Sequence, residues 1–454
     1  MIRTAFAAAA LLLAVPASAQ SQQEALDARY DRALAAGYKA LMLCSAIAHA
    51  EANGTTRTPE SVVERELTGI QPPLDAIVRT LPHEIIRHGN GTIERVNVAW
   101  DEANEPRSAV HLDEDRGCAL NPIGGPAAFY GRPANRPGTR RVALDPVVTA
   151  SPSLQRLFAA ATDGTYGKGA STTAVLVQRE GRIVGEAYAE SFDPATPQRT
   201  WSVAKSLAAT LVGAAVHRGE AEVGGSAGLG YSEGDPREAI TIDHLLRMAS
   251  GRYSDTPGNR TDPLYWGGAS VREVALDWPL IDRPGTTFRY ANNDTLAAVS
   301  ALAATFAAHP PAELFAKLGM KHTVAEIDWR GSYILSSQVW TTARDLARFG
   351  QLYLNDGVLP SGERILPEGW VKYVATPSGP QPPTGTFGYG AGFWLLNREE
   401  GVPPDTFAAI GNRGQYVVIV PSRKVVIVRR GEDPAGSGFD IAAFTRDVLA
   451  ALAE

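Results

Sequence analysis

Trp201-Ser202-Val203-Ala204-Lys205-Ser206 is the stretch on which the reading of this chain turns. It opens a run to His217 that is apolar on one face and reads as a helix. On a helix, residues three apart share a face, so the Ser202 hydroxyl and the Lys205 ammonium meet. A serine hydroxyl is a poor nucleophile without a neighbouring base or cation. Lysine can serve if burial lowers its pKa or if another group shuttles the proton. The N-terminus of the helix also points backbone N–H groups at developing negative charge. The same spacing equally fits a serine that only caps a helix. Features elsewhere must decide between the two.

Strands lie on both sides of this helix. Thr172 to Gln178 and Ile183 to Tyr188 flank Glu180-Gly181-Arg182 and predict an antiparallel hairpin. Tyr416 to Val420 and Lys424 to Arg429 straddle Pro421-Ser422-Arg423 and are nearly continuous in Val and Ile. Helices are expected over Pro152–Ala161 and Phe439–Leu452, with Ile242–Met248 and Thr295–Ala307 the clearest between them. Strands at both ends with helices between predict an α/β (α+β) fold. It is one antiparallel sheet built from distant segments, flanked by helices, with a mostly helical insertion over about 220–335.

Two downstream stretches bear on Ser202. Pro284-Gly285-Thr286-Thr287-Phe288-Arg289-Tyr290-Ala291-Asn292 offers a tyrosine hydroxyl that can pass a proton beside a lysine ammonium. Asn292 offers an amide that can fix Lys205 and a substrate carbonyl. Ala409-Ile410-Gly411-Asn412-Arg413-Gly414-Gln415 enters the last strand pair. Its small residues allow close approach of a substrate, and a backbone N–H there can complete an oxyanion hole. Arg413 could supply a cation, but an arginine on this loop is expected to be exposed.

In this order and spacing the three stretches resemble the penicillin-recognising serine hydrolase superfamily, within it the class C β-lactamase-like esterases and 6-aminohexanoate-dimer hydrolases. Ile242-Asp243-His244-Leu245-Leu246-Arg247-Met248-Ala249-Ser250-Gly251, Leu318-Gly319-Met320 and Thr342-Ala343-Arg344-Asp345-Leu346-Ala347-Arg348-Phe349-Gly350 share the likeness. It covers roughly residues 150 to 454 and implies a β-lactamase-like fold. It makes Ser202 the acylated nucleophile, Lys205 the cationic or basic partner, Tyr290 the proton shuttle and Asn292 a supporting amide. The N–H groups of Ser202 and Asn412, beside Gly411, would form the oxyanion hole, and no metal or cofactor is required. One position departs from the pattern. The superfamily's β-lactam-binding members carry K-T-G where this chain has Ala409-Ile410-Gly411, without the lysine that helps bind a substrate carboxylate. Lys317-Leu318-Gly319 follows a helix too near Tyr290 to replace it. An ester or a linear amide is therefore the expected substrate. β-Lactamase or D,D-peptidase activity, and a binding protein of the same fold without turnover, are the alternatives.

The first residues read as an export signal. Arg3 gives the positive start, Phe6 to Val15 the apolar run, and Ala17-Ser18-Ala19 a cleavage site before Gln20. The apolar run is too short to span a bilayer. A periplasmic or secreted protein without a membrane anchor is expected. Residues 20–140 form an N-terminal α+β extension of unstated role. It has a helix over Gln22–Ala52, another from Pro59 to Leu67, and strands over Thr92–Val98 and Ser108–Leu112. A Gly- and Pro-rich linker over Pro122–Gly138 separates it from a hydrolase region over 141–454. The two cysteines, Cys44 and Cys118, both lie in the extension. In an oxidising compartment they can pair, the alternative being two separate buried thiols. The net charge of −6 comes with no cluster of Lys or Arg, which excludes a nucleic-acid partner. The expected partner is a small-molecule or short-peptide substrate, and the sequence leaves the oligomeric state open.

Three patterns mislead. Gly224-Gly225-Ser226-Ala227-Gly228 and Gly230-Tyr231-Ser232-Glu233-Gly234 spell G-x-S-x-G, but lack the strand before and the helix after that a nucleophile elbow needs. His83-Glu84-Ile85-Ile86-Arg87-His88 comes close to a zinc-binding helix, but its histidines are five apart and would diverge around it.

Overall fold

The computed structural model describes residues 14–125, 145–230, 232–254 and 262–454. The start of the expected export signal and most of the expected linker lie outside the described residues, as do residues 231 and 255–261. The helices are α1 (Ala14–Ala52), α2 (Pro59–Glu64), α3 (Leu74–Val78), α4 (Pro152–Ala160), α5 (Val203–His217), α6 (Ile242–Leu246), α7 (Asn292–Ala301), α8 (Pro311–Lys317), α9 (Ala343–Leu354), α10 (Trp370–Ala375) and α11 (Ile441–Ala451). The strands of the extension are β1 (His83–Arg87), β2 (Ile93–Val98), β3 (Arg107–Asp113) and β4 (Gly117–Leu120). Those of the remainder are β5 (Thr172–Arg179), β6 (Arg182–Tyr188), β7 (Gln198–Arg199), β8 (Val324–Ala325), β9 (Val339–Thr341), β10 (Gly388–Tyr389), β11 (Trp394–Leu395), β12 (Phe407–Gly411), β13 (Gln415–Val420) and β14 (Val425–Gly431).

The main sheet has the order β10-β11-β12-β13-β14-β5-β6 and is antiparallel throughout. The pairing of β14 with β5, with Val428 opposite Leu176, joins the two distant strand pairs as the sequence pattern predicts. The continuous Val and Ile of β13 and β14 follow from burial of both sheet faces. Val417, Ile419, Val426 and Val428 face a core shared with α5 and α9. Val418, Val420, Val425 and Ile427 face a second core with Leu154, Phe158, Phe444 and Val448 from α4 and α11. A small sheet, β7-β9-β8, ties the start of the Ser202 segment to the end of the insertion.

The extension is a helix on an antiparallel meander, β1-β2-β3-β4. Ser21–Ala52 of α1 is long and apolar enough to cross a membrane, but 94% of its apolar window is buried inside the molecule. Tyr38, Leu41, Leu43 and Ile47 share a core with Val96 and Val98 of β2 and with Leu264, Tyr265 and Trp266 of the insertion. Cys44 and Cys118 are joined, S–S 2.00 Å, fastening α1 to β4. The stretch His83–His88, whose histidines mimic a metal helix, is instead strand β1, because Ile85 and Ile86 pair with Val96 and Arg95 of β2.

Candidate active site

Helix α5 is apolar all round, and thirteen of its residues, Lys205 among them, are buried. Ser202 stands at its N-cap, yet its side chain makes no capping hydrogen bond. The Lys205 ammonium reaches it instead, Nζ to Oγ 3.0 Å. The residue before it, Trp201, is held in the left-handed region at φ 49°, a conformation an indole-bearing residue adopts only under constraint. The Arg199 guanidinium lies over the Trp201 ring at 3.7 Å and supplies part of that constraint.

Lys205 is 2% exposed. Besides Ser202, its ammonium donates to Asn292 Oδ1 and to the Ser336 carbonyl at 3.0 Å. Burial pulls its pKa down to about 7, since the charged form loses its hydration. Two of the three partners can only accept, whereas the Ser202 hydroxyl can also donate. A neutral Lys205 amine can therefore keep both acceptors and turn its lone pair toward Oγ.

Tyr290 lies on the extended chain just before α7, fixed by Arg289 N donating to the Met248 carbonyl at 2.8 Å. At the start of α7, buried Asp294 accepts from Ser250 Oγ at 2.6 Å and from Arg252 at 3.1 Å, which locks the helix to the 250–252 turn. The Tyr290 ring lies 5.0 Å from Lys205 Nζ. Burial pushes the pKa of its hydroxyl up to about 12, opposed by the neighbouring Ser202 and Trp394 side chains. It thus stays a neutral donor through the physiological range.

The β12–β13 hairpin closes the other side. A Cβ at Gly411 would lie 2.4 Å from the Thr200 carbonyl and 3.0 Å from Ser202 N. Only glycine lets the strand end come this close to the head of α5. Next to it, Asn412 is exposed at the hairpin tip. Ser202, Tyr290, Asn292, Gly411 and Asn412 all line one cavity of about 420 Å³, and Lys205 sits directly behind its floor. The structure thus brings together all six residues singled out in the sequence. Arg413 is a correction: it is 6% exposed rather than on an open loop. Its side chain packs against the extension, where the guanidinium donates to the Arg65 and Thr68 carbonyls and pairs with Glu432.

Sequence reasoning missed the rest of the cavity. Gln71, Asp262, Tyr265, Trp266, Ser337 and Trp394 complete its lining. Among the described lining residues Asp262 is the one charged side chain, and it accepts from the Tyr265 hydroxyl at 2.9 Å. None of these positions lies in a patterned segment. Ser336 acts through its backbone carbonyl, which no side-chain motif can signal.

The arrangement has the parts an acyl transfer needs: a hydroxyl on a desolvated amine, a neutral phenol within reach, and backbone N–H groups on the opposite side. Comparisons with known proteins agree. Residues 154–450 match the Beta-lactamase family. The chain is 25% identical over 380 residues, 74% of its own length and 88% of the relative's, to a 6-aminohexanoate-dimer hydrolase of Paenarthrobacter ureafaciens. In fold it resembles a family VIII carboxylesterase (TM-score 0.51, 18% identity, 67% of this chain and 98% of that one). It also resembles the octameric penicillin-binding protein homologue from Pyrococcus abyssi (TM-score 0.52, 17% identity, 66% and 77%). With nearly two thirds of its length matched, the chain belongs to the Beta-lactamase family of serine hydrolases.

Proposed function

We propose that this chain is an exported hydrolase that cleaves an ester or a linear amide through an acyl-enzyme on Ser202. The observation that carries the reading is the Lys205 ammonium, stripped of water and shared between Ser202 Oγ, Asn292 and the Ser336 carbonyl. Ser202 Oγ attacks the substrate carbonyl and its proton passes to the Lys205 amine. The oxyanion that forms faces the backbone N–H groups of Ser202 and Asn412. As the tetrahedral centre collapses, the C–O or C–N bond breaks and the Tyr290 hydroxyl gives its proton to the leaving group. Lys205 then returns a proton to the phenol. Water repeats the sequence on the ester and frees the acid and Ser202.

The substrate preference rests on charge. A β-lactam carries a carboxylate that the K-T-G lysine binds in other members of the superfamily. Here the corresponding stretch, Ala409-Ile410-Gly411, has no cation, and Asp262 adds an anion to the wall. Residues 141–454 would form the hydrolase, with residues 20–140 an extension. Export is supported by the N-terminal Arg3, apolar run and A-x-A site, and by the Cys44–Cys118 bond, which oxidising compartments preserve.

A fluorophosphonate probe tests the centre. Folded wild type should label at Ser202, and Ser202→Ala should not; an unlabelled wild type would falsify the mechanism. For the substrate, p-nitrophenyl esters and short linear amides should turn over faster than nitrocefin. The reverse order would sink the preference. N-terminal sequencing of protein recovered from the periplasm should begin at Gln20.

A further inference from the structure

The cavity is not closed by the hydrolase region alone. Gln71, from the loop between α2 and α3, stands on its rim. The same loop is fastened to the hairpin tip that carries Asn412. Arg413 makes the fastening, with Nη2 donating to the Arg65 carbonyl at 2.8 Å and the Thr68 carbonyl at 2.9 Å, and Nε to Glu432 at 2.7 Å. The same loop also meets the chain just past β14: Ala435 N donates to the Gly69 carbonyl at 2.7 Å, and a Cβ on Gly69 would lie 2.8 Å from Pro434 Cβ. Behind the acceptor carbonyls, Arg57 holds Glu66 by paired bonds of 2.8 and 2.7 Å, both side chains buried. The loop is therefore anchored on its own side as well.

Arg413 itself has φ 55°. Glycine adopts that conformation without steric cost and would shape the turn equally well. What glycine cannot supply is the tie. At 4% side-chain exposure, and absent from the cavity lining, the guanidinium is placed for the fold around it rather than for a ligand.

We infer that Arg413 is a positioning residue: by tying the hairpin tip to the N-terminal extension it fixes the direction of the Asn412 backbone N–H, and so makes the extension part of the catalytic apparatus. The inference rests on the role proposed above for that N–H. Misdirection of such a donor by about 1 Å is enough to cost about 100-fold in rate.

The test compares wild type, Arg413→Ala and Arg413→Lys in the full exported chain. Each is titrated to completion with a fluorophosphonate, so that rates are counted per competent Ser202. With p-nitrophenyl butyrate, Arg413→Ala should lose about 30- to 100-fold in kcat per titrated site, with KM within about threefold. Inhibition by 1-butaneboronic acid, which becomes a tetrahedral anion on Ser202, should weaken in parallel. Arg413→Lys, keeping one donor group in place of the fork, should recover part of both. A role in folding alone would lower the number of titrated sites and leave kcat per site and boronate inhibition unmoved. Values within threefold of wild type for both measurements overturn the inference. Should Arg413→Ala not fold, Arg413→Gly, which suits φ 55° and equally lacks the tie, decides on the same threshold. A wild type that fails to label breaks the Ser202 mechanism first, and separately.

Discussion

The two walls of the cavity are made differently. Ser202, Lys205, Asn292 and Gly411 sit on or at the ends of α5, α7 and β12, elements with their own cores and hydrogen-bond ladders. The facing wall is made of the loop carrying Gln71 and of Asp262, Tyr265 and Trp266 at the short helical turn Pro263–Gly267. It is braced from behind by the extension. The Tyr38 ring of α1 stacks on Trp266 at 4.1 Å. Buried Arg107 donates to the carbonyls of Ala33, Asn121, Trp266 and Gly267. On the proposed mechanism the nucleophile and its lysine ride on a buried helix and the facing wall on supported short segments, a division that lets specificity change while the chemistry stays.

If the division is real, variants on the two walls should differ in which kinetic constant they move. The largest effect is expected from Ser202→Ala, which should remove ester turnover and labelling altogether while leaving the melting temperature near that of wild type. Lys205→Ala should follow with a loss of about 10³-fold in kcat, within the range for a positioned base. Retention of more than a tenth of wild-type kcat in that variant would remove Lys205 from the mechanism. The pH profile comes next. Below about 7 the buried Lys205 is protonated and cannot accept the Ser202 proton, so log kcat/KM should fall by about one per pH unit on the acid side. A profile flat from pH 5 to 9 would contradict it.

The facing wall should give smaller effects of another kind. Tyr38→Ala removes the support behind Trp266 and should raise KM about five- to tenfold with kcat changed less than threefold. A fall in kcat without a change in KM would erase the distinction between the walls. The smallest effect on turnover at 25 °C is expected from replacing Cys44 and Cys118 by Ala. That bond closes a 74-residue separation, and in the entropic picture its loss costs about 4 kcal/mol of stability. The change should appear in the melting temperature, with turnover per titrated site within about threefold.

The same division explains what the sequence discloses. The Ser202–Lys205 spacing, the Val and Ile runs of β13 and β14, and the glycine at 411 are local patterns imposed by helix pitch, two-sided burial and close backbone approach. Each can be read from a few residues. Arg413 reads as an exposed loop residue because its acceptors, at Arg65 and Thr68, are remote in sequence. His83–His88 comes close to a metal-binding helix in composition, but Ile85 and Ile86 pair with β2 and make it strand. Asp262 and Gln71 enter the cavity only through packing between distant segments, and no local period records that.

The partnership of β14 with β5 carries one more consequence. Residues near 175 pair with β6 on one side but on the other only with residues near 428, so the central sheet cannot close until almost the whole polypeptide has been made. Loop closure over such a span is slow and comes late in folding. On the proposed mechanism the nucleophile is then synthesised long before the oxyanion turn that would make it reactive. On that mechanism a chain cut short before β12 would carry Ser202 and Lys205 yet be inert, so activity would appear only once the sheet is complete.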